Sequence, residues 1–289
     1  MTDMASTLGN DHLSLTVAAL GAEMQFLRTT SGADLLWKGD VAFWSGRAPI
    51  LFPIVGRAVD DIIAVENHTA PMPQHGFARR SSFSLAEQTD VMCRHTLMDT
   101  EQTRAVYPFS FRLDVVHQLD GNTLRVRVEV RNEGGTSMPF GFGFHPAFSW
   151  PLPGAAGQMH HVTLAQGGSP KRVAIEDGLL RPQPVKGPFI NGDLLIEEAL
   201  FTDGAVVFPN GSDALRYGPQ NGPSLSFEFN NLPDLALWRP KDAPFLCIEP
   251  WHGTASYLGD GPQISKRPNT TTLEAGKTAT FGYAVTVDL

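Results

Sequence analysis

Three short stretches of the chain set a reactive side chain beside residues that fix the backbone. The first is Pro71-Met72-Pro73-Gln74-His75-Gly76-Phe77-Ala78-Arg79. Two prolines and a glycine hold His75 in a defined turn. A turn histidine at the surface would also fit this pattern. The second runs from Gly141 to Gly154 and contains His145, directly before Pro146. A residue before proline is pushed to an extended backbone. Its neighbours Phe140, Phe142, Phe144 and Phe148 are large and apolar. An imidazole among them must be satisfied, by a carbonyl as in a core histidine or by a task. The third is Phe245-Leu246-Cys247-Ile248-Glu249-Pro250-Trp251-His252-Gly253. Glu249 follows an apolar run and precedes a Pro-Trp pair. At an exposed strand end it would cost nothing. If it is desolvated beside Trp251, its pKa rises toward neutrality. The indole face of Trp251 makes a platform for the C–H face of a pyranose.

Taken together, these stretches supply two histidines and one glutamate, 70 and 104 residues apart, each at a punctuated strand end. Such a set suits acid–base work near pH 7. Two other chemistries compete for it. Two histidines and a carboxylate can hold a metal, but close His-x-His spacing is absent, and the adjacent His160-His161 read as surface residues. A glycosidase uses two carboxylates at a defined separation. Asp203 could be the second carboxylate, and both histidines would then be surplus.

The elements that must bring these residues together are strands. Period-two alternation dominates, as in His12–Val17, Phe111–His117, Leu124–Val130 and Ser224–Phe229. Asp120-Gly121-Asn122 joins two of these runs as a hairpin. Phe245–Ile248 is continuously apolar, as for a strand covered on both faces. The last strand is expected over Thr278–Val287. Helical signals are confined to short pieces at Asp40–Trp44 and Asp193–Phe201. The stretches Gly167–Pro188 and Pro209–Pro223 read as surface loops. With 28 Gly and 22 Pro in 289 residues, many strands joined by turns are favoured over helices. No linker or repeat interrupts the chain. The expected fold is therefore all-β: one large antiparallel β-sandwich domain over residues 1–289, with few short helices.

Composition narrows the function. A net charge of −8, with no basic run longer than Arg79-Arg80, disfavours nucleic acid. No window is long and apolar enough for a membrane helix, and the first residues lack the apolar core of a signal peptide. Two cysteines in a chain this long form no disulfide framework, so a cytoplasmic location is expected.

At these residues the sequence resembles the aldose 1-epimerase (galactose mutarotase-like) family, and within it the LacX-type branch. The resemblance rests on Leu20-Gly21-Ala22-Glu23, on Leu36-Trp37 followed by Trp44, and on Pro49-Ile50-Leu51-Phe52-Pro53-Ile54-Val55-Gly56-Arg57. It continues through Gln74–Arg79, Gly143–Phe148 and Cys247–Trp251. The order and spacing of these segments over nearly the whole chain carry the signal.

The resemblance implies a galactose mutarotase-like supersandwich with a sugar site on a concave sheet. The implied reaction is exchange of the α and β anomers of an aldose without a cofactor or metal. It also implies roles. Glu249 matches the base at the anomeric hydroxyl, His145 the acid at the ring oxygen, and His75 the second histidine. Arg57 matches an arginine that binds sugar hydroxyls. Asp203 is the expected substrate-binding aspartate, with Asp193 and Asp234 as rivals. In the hexose-6-phosphate branch, arginines near Arg79 grip a phosphate, so the partner is a small aldose, free or phosphorylated. A non-catalytic sugar-binding or sensing protein is the alternative on the same scaffold. The chain would work as a monomer or homodimer.

Overall fold

The computed structural model describes residues 5–289. Strands dominate it, and nearly all their pairings are antiparallel. A nine-stranded sheet runs in the spatial order Asp193–Leu195, His161–Leu164, Ala214–Gly218, Ser224–Asn230, Thr278–Asp288, Thr123–Asn132, Phe111–Asp120, Met92–Met98, Ser84–Gln88. The hairpin predicted around Asp120-Gly121-Asn122 lies at its centre, with Thr123 opposite Asp120.

A second, eight-stranded sheet runs Leu179–Val185, Arg172–Glu176, Val206–Phe208, Asp234–Trp238, Phe245–His252, Phe142–Phe144, Ile50–Leu51. Its eighth strand, Ala147–Ser149, also pairs with Phe245–His252. A third sheet, Ser6–Gly9, Leu13–Val17 and Met24–Thr29, extends the core.

Between the layers lies one large apolar core in which Phe52, Phe111, Phe140, Phe142, Phe148, Phe227 and Phe281 are fully buried. The strand Phe245–His252 shows how the layers are divided. Successive side chains point to opposite faces. Leu246 and Ile248 enter the main core. Phe245 and Cys247 join a separate cluster with Trp37 and Ala147, and Trp251 joins another with Leu51, Val207 and Ala255. Glu249 shares the outward face with Cys247 and Trp251. The continuous apolar run is therefore covered on both sides, as its composition predicts.

Several local expectations are corrected. Asp40–Trp44 is a turn, closed by the Phe43 and Trp44 N–H groups on the Asp40 carbonyl. Asp193 starts a strand, and only Glu198–Phe201 forms a 3-10 turn. The one α-helix among the described residues, Glu101–Val106, had no predicted counterpart. The Thr100 side chain accepts the Thr103 N–H at its start, which stabilises so short a helix. Gly167–Pro188 is not a loop: it contains the paired strands Arg172–Glu176 and Leu179–Val185. Pro209–Pro223 holds the strand Ala214–Gly218. His160 and His161 are both buried: His160 Nε2 accepts the Leu152 N–H, and His161 Nδ1 lies 2.8 Å from the Asp193 carboxylate.

Candidate active site

Strand register brings His145 and Glu249 together. Gly143 pairs with Trp251 and Ala147 pairs with Cys247. Counting inward from both pairs sets His145 opposite Glu249, on the same face. Pro146 lacks an N–H and breaks the ladder at this point, so Phe142–Phe144 and Ala147–Ser149 are separate strands along one partner. The break lets His145 turn its N–H to the Pro49 carbonyl while its ring faces out of the sheet. His145 Nε2 comes within 3.2 Å of Glu249 Oε2, outside hydrogen-bonding angles.

Both groups are buried, Glu249 at 1 % and His145 at 7 % exposure. Burial pushes the Glu249 carboxyl well above the ordinary carboxylate range. It pushes the His145 imidazole down to about 3. Both shifts have one origin: a dry site disfavours charge on either group. A neutral acid beside a neutral imidazole and a carboxylate beside an imidazolium hold the same number of protons, and differ in which group carries one of them.

The imidazole of His145 is held by aromatic contacts. Trp44 stacks on it at 4.8 Å between ring centroids, and Trp238 meets it edge-on at 5.6 Å. His75 stands at 5.6 Å, nearly perpendicular. The backbone of His75 is left-handed, with φ +67°, a conformation that costs a non-glycine residue about 1–3 kcal/mol unless its surroundings impose it. Here the His75 N–H donates to the Gly56 carbonyl, and the Gly56 N–H donates back to His75 Nδ1. The next residue, Gly76, is also left-handed, and a Cβ there would sit 2.2 Å from the Phe52 carbonyl oxygen. Only glycine fits. Burial, with His145 and Arg79 nearby, holds His75 neutral far below the usual imidazole range. With Nδ1 accepting, the proton sits on Nε2.

These groups border a cavity of about 380 Å³, the size range of small-molecule sites. Trp44, Trp238 and Trp251 give it aromatic walls, and Gln74 and Arg79 add polar groups. The Trp251 Nε1–H is buried and unpaired, as is Arg79 Nε, while Arg79 Nη2 donates to the Gln74 carbonyl. Burial lowers the Arg79 pKa. Ile175, Gly178 and Leu180 of the unforeseen hairpin close one side.

Of the residues singled out from sequence, His75, His145, Glu249, Arg79 and Trp251 meet at this cavity, and two do not. Arg57 lies in the adjoining groove, where its guanidinium forks onto both oxygens of Asp61 and onto the Asp177 carbonyl. Asp203 lines a separate groove with Arg172 and Lys186, so it is not in position to bind a ligand in the cavity. Its rivals have structural partners. Asp193 binds His161 and Thr163. Asp234 is fully buried and accepts N–H groups from Asn210, Gly253 and Asn269, which fixes the chain just after His252.

Trp44, Gln74 and Trp238 were missed as site residues. Trp44 and Gln74 lie in the segments that carry the family resemblance, which could have flagged them, whereas Trp238 offered only its aromatic character. Arg267 was missed too. Buried to 7 % exposure, it donates to the Val55, Arg57 and Thr254 carbonyls and to Ser256, joining two segments behind the cavity. His145, Cys247 and Glu249 place donor atoms within 4.8 Å of one another, close enough for a metal ion as well as for proton transfer.

The sandwich and its cavity define a galactose mutarotase-like protein. The aldose 1-epimerase family model matches residues 4–286, and the chain belongs to that family. It is 29 % identical to the chromosomal Protein LacX of Lactococcus lactis subsp. lactis, over 98 % of this chain and 99 % of that one. Among solved structures it is similar to a galactose mutarotase related enzyme from Lactobacillus acidophilus, with TM-score 0.93 and 27 % identity over 99 % and 98 % of the two chains. A galactose mutarotase-like protein from Lactobacillus casei matches with TM-score 0.91 and 28 % identity over 99 % and 100 %. Among the described residues, no helix is long and apolar enough to cross a membrane.

Proposed function

We propose that the chain is an aldose 1-epimerase that exchanges the α and β anomers of a hexose by acid–base ring opening and closure. The observation that carries this reading is the His145–Glu249 pair, 3.2 Å apart on a cavity wall. Ring opening removes a proton from O1 and delivers one to O5. Both oxygens are bonded to C1, so the base and the acid must be close neighbours. A glycosidase instead separates its carboxylates by roughly 5 Å or more.

Glu249 takes the O1 proton and His145 gives one to O5. The C1–O5 bond breaks, C1 becomes a carbonyl and turns about C1–C2, and closure on the other face reverses both transfers. Each positioned group contributes about 10²–10⁴ in rate. The acting state, carboxylate and imidazolium, differs from the neutral pair only in where one proton sits. Sugar hydroxyls, the His75 Nε2–H and the Trp251 Nε1–H supply donors that favour the charged form once substrate fills the cavity. Arg57 supports the rim: a Cβ at Gly178 would sit 3.2 Å from its Cδ.

Polarimetry or saturation-transfer NMR on glucose, galactose and glucose 6-phosphate tests the reading. Acceleration by the wild type that disappears in Glu249→Gln is expected. Saturable binding without acceleration would replace the enzyme with a sugar-binding protein. The unpaired Arg79 Nε supports the phosphate arm, and faster exchange of the 6-phosphate would assign it. Exchange that stops on chelation and returns with added metal would move the chemistry to a metal on His145, Cys247 and Glu249.

A further inference from the structure

A second group of donors lies away from the cavity, on the nine-stranded sheet. Cys93 and His95 are two residues apart on Met92–Met98, so they share a face. His117 is the registered partner of Cys93 on Phe111–Asp120 and shares it too. The three are buried at 0, 0 and 2 % exposure. Cys93 Sγ and one ring nitrogen from each histidine lie within 4.8 Å of one another. Nδ1 of His95 and Nδ1 of His117 are both buried and have no hydrogen-bond partner. His95 Nε2 is engaged at 3.4 Å by Ser6 Oγ, leaving Nδ1 as its free donor. Buried polar atoms are normally paired, so an unpaired nitrogen on each of two imidazoles clustered with one thiol calls for a ligand.

The ligand must be a cation with affinity for sulfur and imidazole. The surroundings set its charge. The registered neighbours Val115 and Val126 are apolar, as is Leu97 on the same strand, and the set contains no carboxylate. A divalent ion on one thiolate would leave a net positive charge in this apolar core, which is strongly disfavoured. Zinc also prefers four ligands. A monovalent soft ion on one thiolate and two neutral imidazoles is neutral overall and is satisfied by three donors. We propose that Cys93, His95 and His117 form a binding site for one cuprous ion. Binding replaces the thiol proton: Cys93 S–H plus Cu⁺ gives Cys93 S–Cu and a released proton, with no change in oxidation state. The empty site keeps that thiol protonated, since burial raises its pKa to about 12.

The test is copper content and copper affinity. Protein expressed in copper-supplemented medium is purified anaerobically and analysed for copper and zinc. The same protein, stripped of metal, is then titrated with Cu⁺ under ascorbate against the chromophoric chelator bicinchoninate. One equivalent of copper per chain is expected. Cys93→Ser and His117→Gln should each weaken binding at least 100-fold, and copper should raise the thermal midpoint of the wild type but not of Cys93→Ser. Cys93→Ala is a second variant in case serine disturbs the core, with far-UV circular dichroism confirming the fold of each. Copper that neither route loads, or that survives in both Cys93 variants, overturns the site. Loss of copper on Cys247→Ser with retention in Cys93→Ala places the ion in the cavity instead. Zinc held in preference to copper, with the same residue dependence, overturns the monovalent assignment.

Discussion

His75, His145 and Glu249 at the eight-stranded sheet, His75 in a turn beside it, and Cys93, His95 and His117 on the nine-stranded one, are built from the same materials. Each group has two imidazoles, an acidic partner and at least two buried polar atoms without hydrogen bonds. The difference lies in the backbone. Cys93, His95 and His117 sit on an unbroken ladder, where registered pairs follow one another from Met92 to Met98. His145 sits at a ladder break made by Pro146, and His75 sits in a left-handed turn before a glycine that admits no side chain. An unbroken ladder in a sandwich core closes over its side chains. A broken one opens a cavity beside them. Proton transfer to a sugar needs the cavity, whereas a small ion needs only the donors.

This contrast is broken most severely at Glu249. Glu249→Gln keeps the shape and removes the base, so anomer exchange should fall by about 10³-fold or more; a rate within tenfold of wild type would end the assignment. His145→Asn should lose about 10²–10⁴, whereas His117→Gln, in the closed group, should leave the turnover number unchanged.

A pH comparison sharpens the contrast. The His145 pKa is lowered to about 3 in the fold, below an unfolded value near 6.5. The unfolded chain therefore binds the extra proton between these limits, and His145 costs stability as pH falls from 6.5 toward 3. His145→Asn removes that cost. Its stability relative to wild type should climb by about 1.4 kcal/mol per pH unit over that window. Denaturant melts at pH 7.5 and 5 measure it, and parallel curves would refute a buried neutral His145.

Smaller effects test the rim of the cavity. Trp251→Phe keeps the ring face and deletes one unpaired donor. KM should rise about fivefold, as for one hydrogen bond of about 1 kcal/mol. Arg57→Ala should change KM less than that, because its guanidinium is engaged by Asp61 and the Asp177 carbonyl. A KM increase above tenfold would restore Arg57 to the sugar.

How much of this could be read from the sequence follows from the same contrast. Proline and glycine mark places where a ladder must break, and the motifs around His75, His145 and Glu249 are rich in both. Strand alternation correctly gave the central hairpin and the terminal strand. Register between strands a hundred residues apart leaves no local trace, so the opposition of His145 and Glu249 and the meeting of Cys93 with His117 were not legible. Neither was the strand nature of Arg172–Val185, where Gly178 and two prolines look like a loop. The strand pattern just after Asp203 is legible in the sequence. That strand is real, Val206–Phe208, but the aspartate precedes it and turns to another groove.

The same hairpin bears on how the molecule can vary. Its outer strand, Leu179–Val185, is the edge of the eight-stranded sheet and carries Pro182 and Pro184, which offer no N–H to a further strand. Most of its outer residues are exposed, yet Ile175, Gly178 and Leu180 face the cavity. This wall of the cavity thus lies at the edge of the sheet, while His145 and Glu249 sit in its middle. Its exposed positions, from Arg181 to Val185, can change at little packing cost. Leu180, bonded to the Ser256 and Leu258 backbone, and Asp177, whose carbonyl holds Arg57, tie the cavity side in place, so the outer rim can vary while its inner face stays fixed.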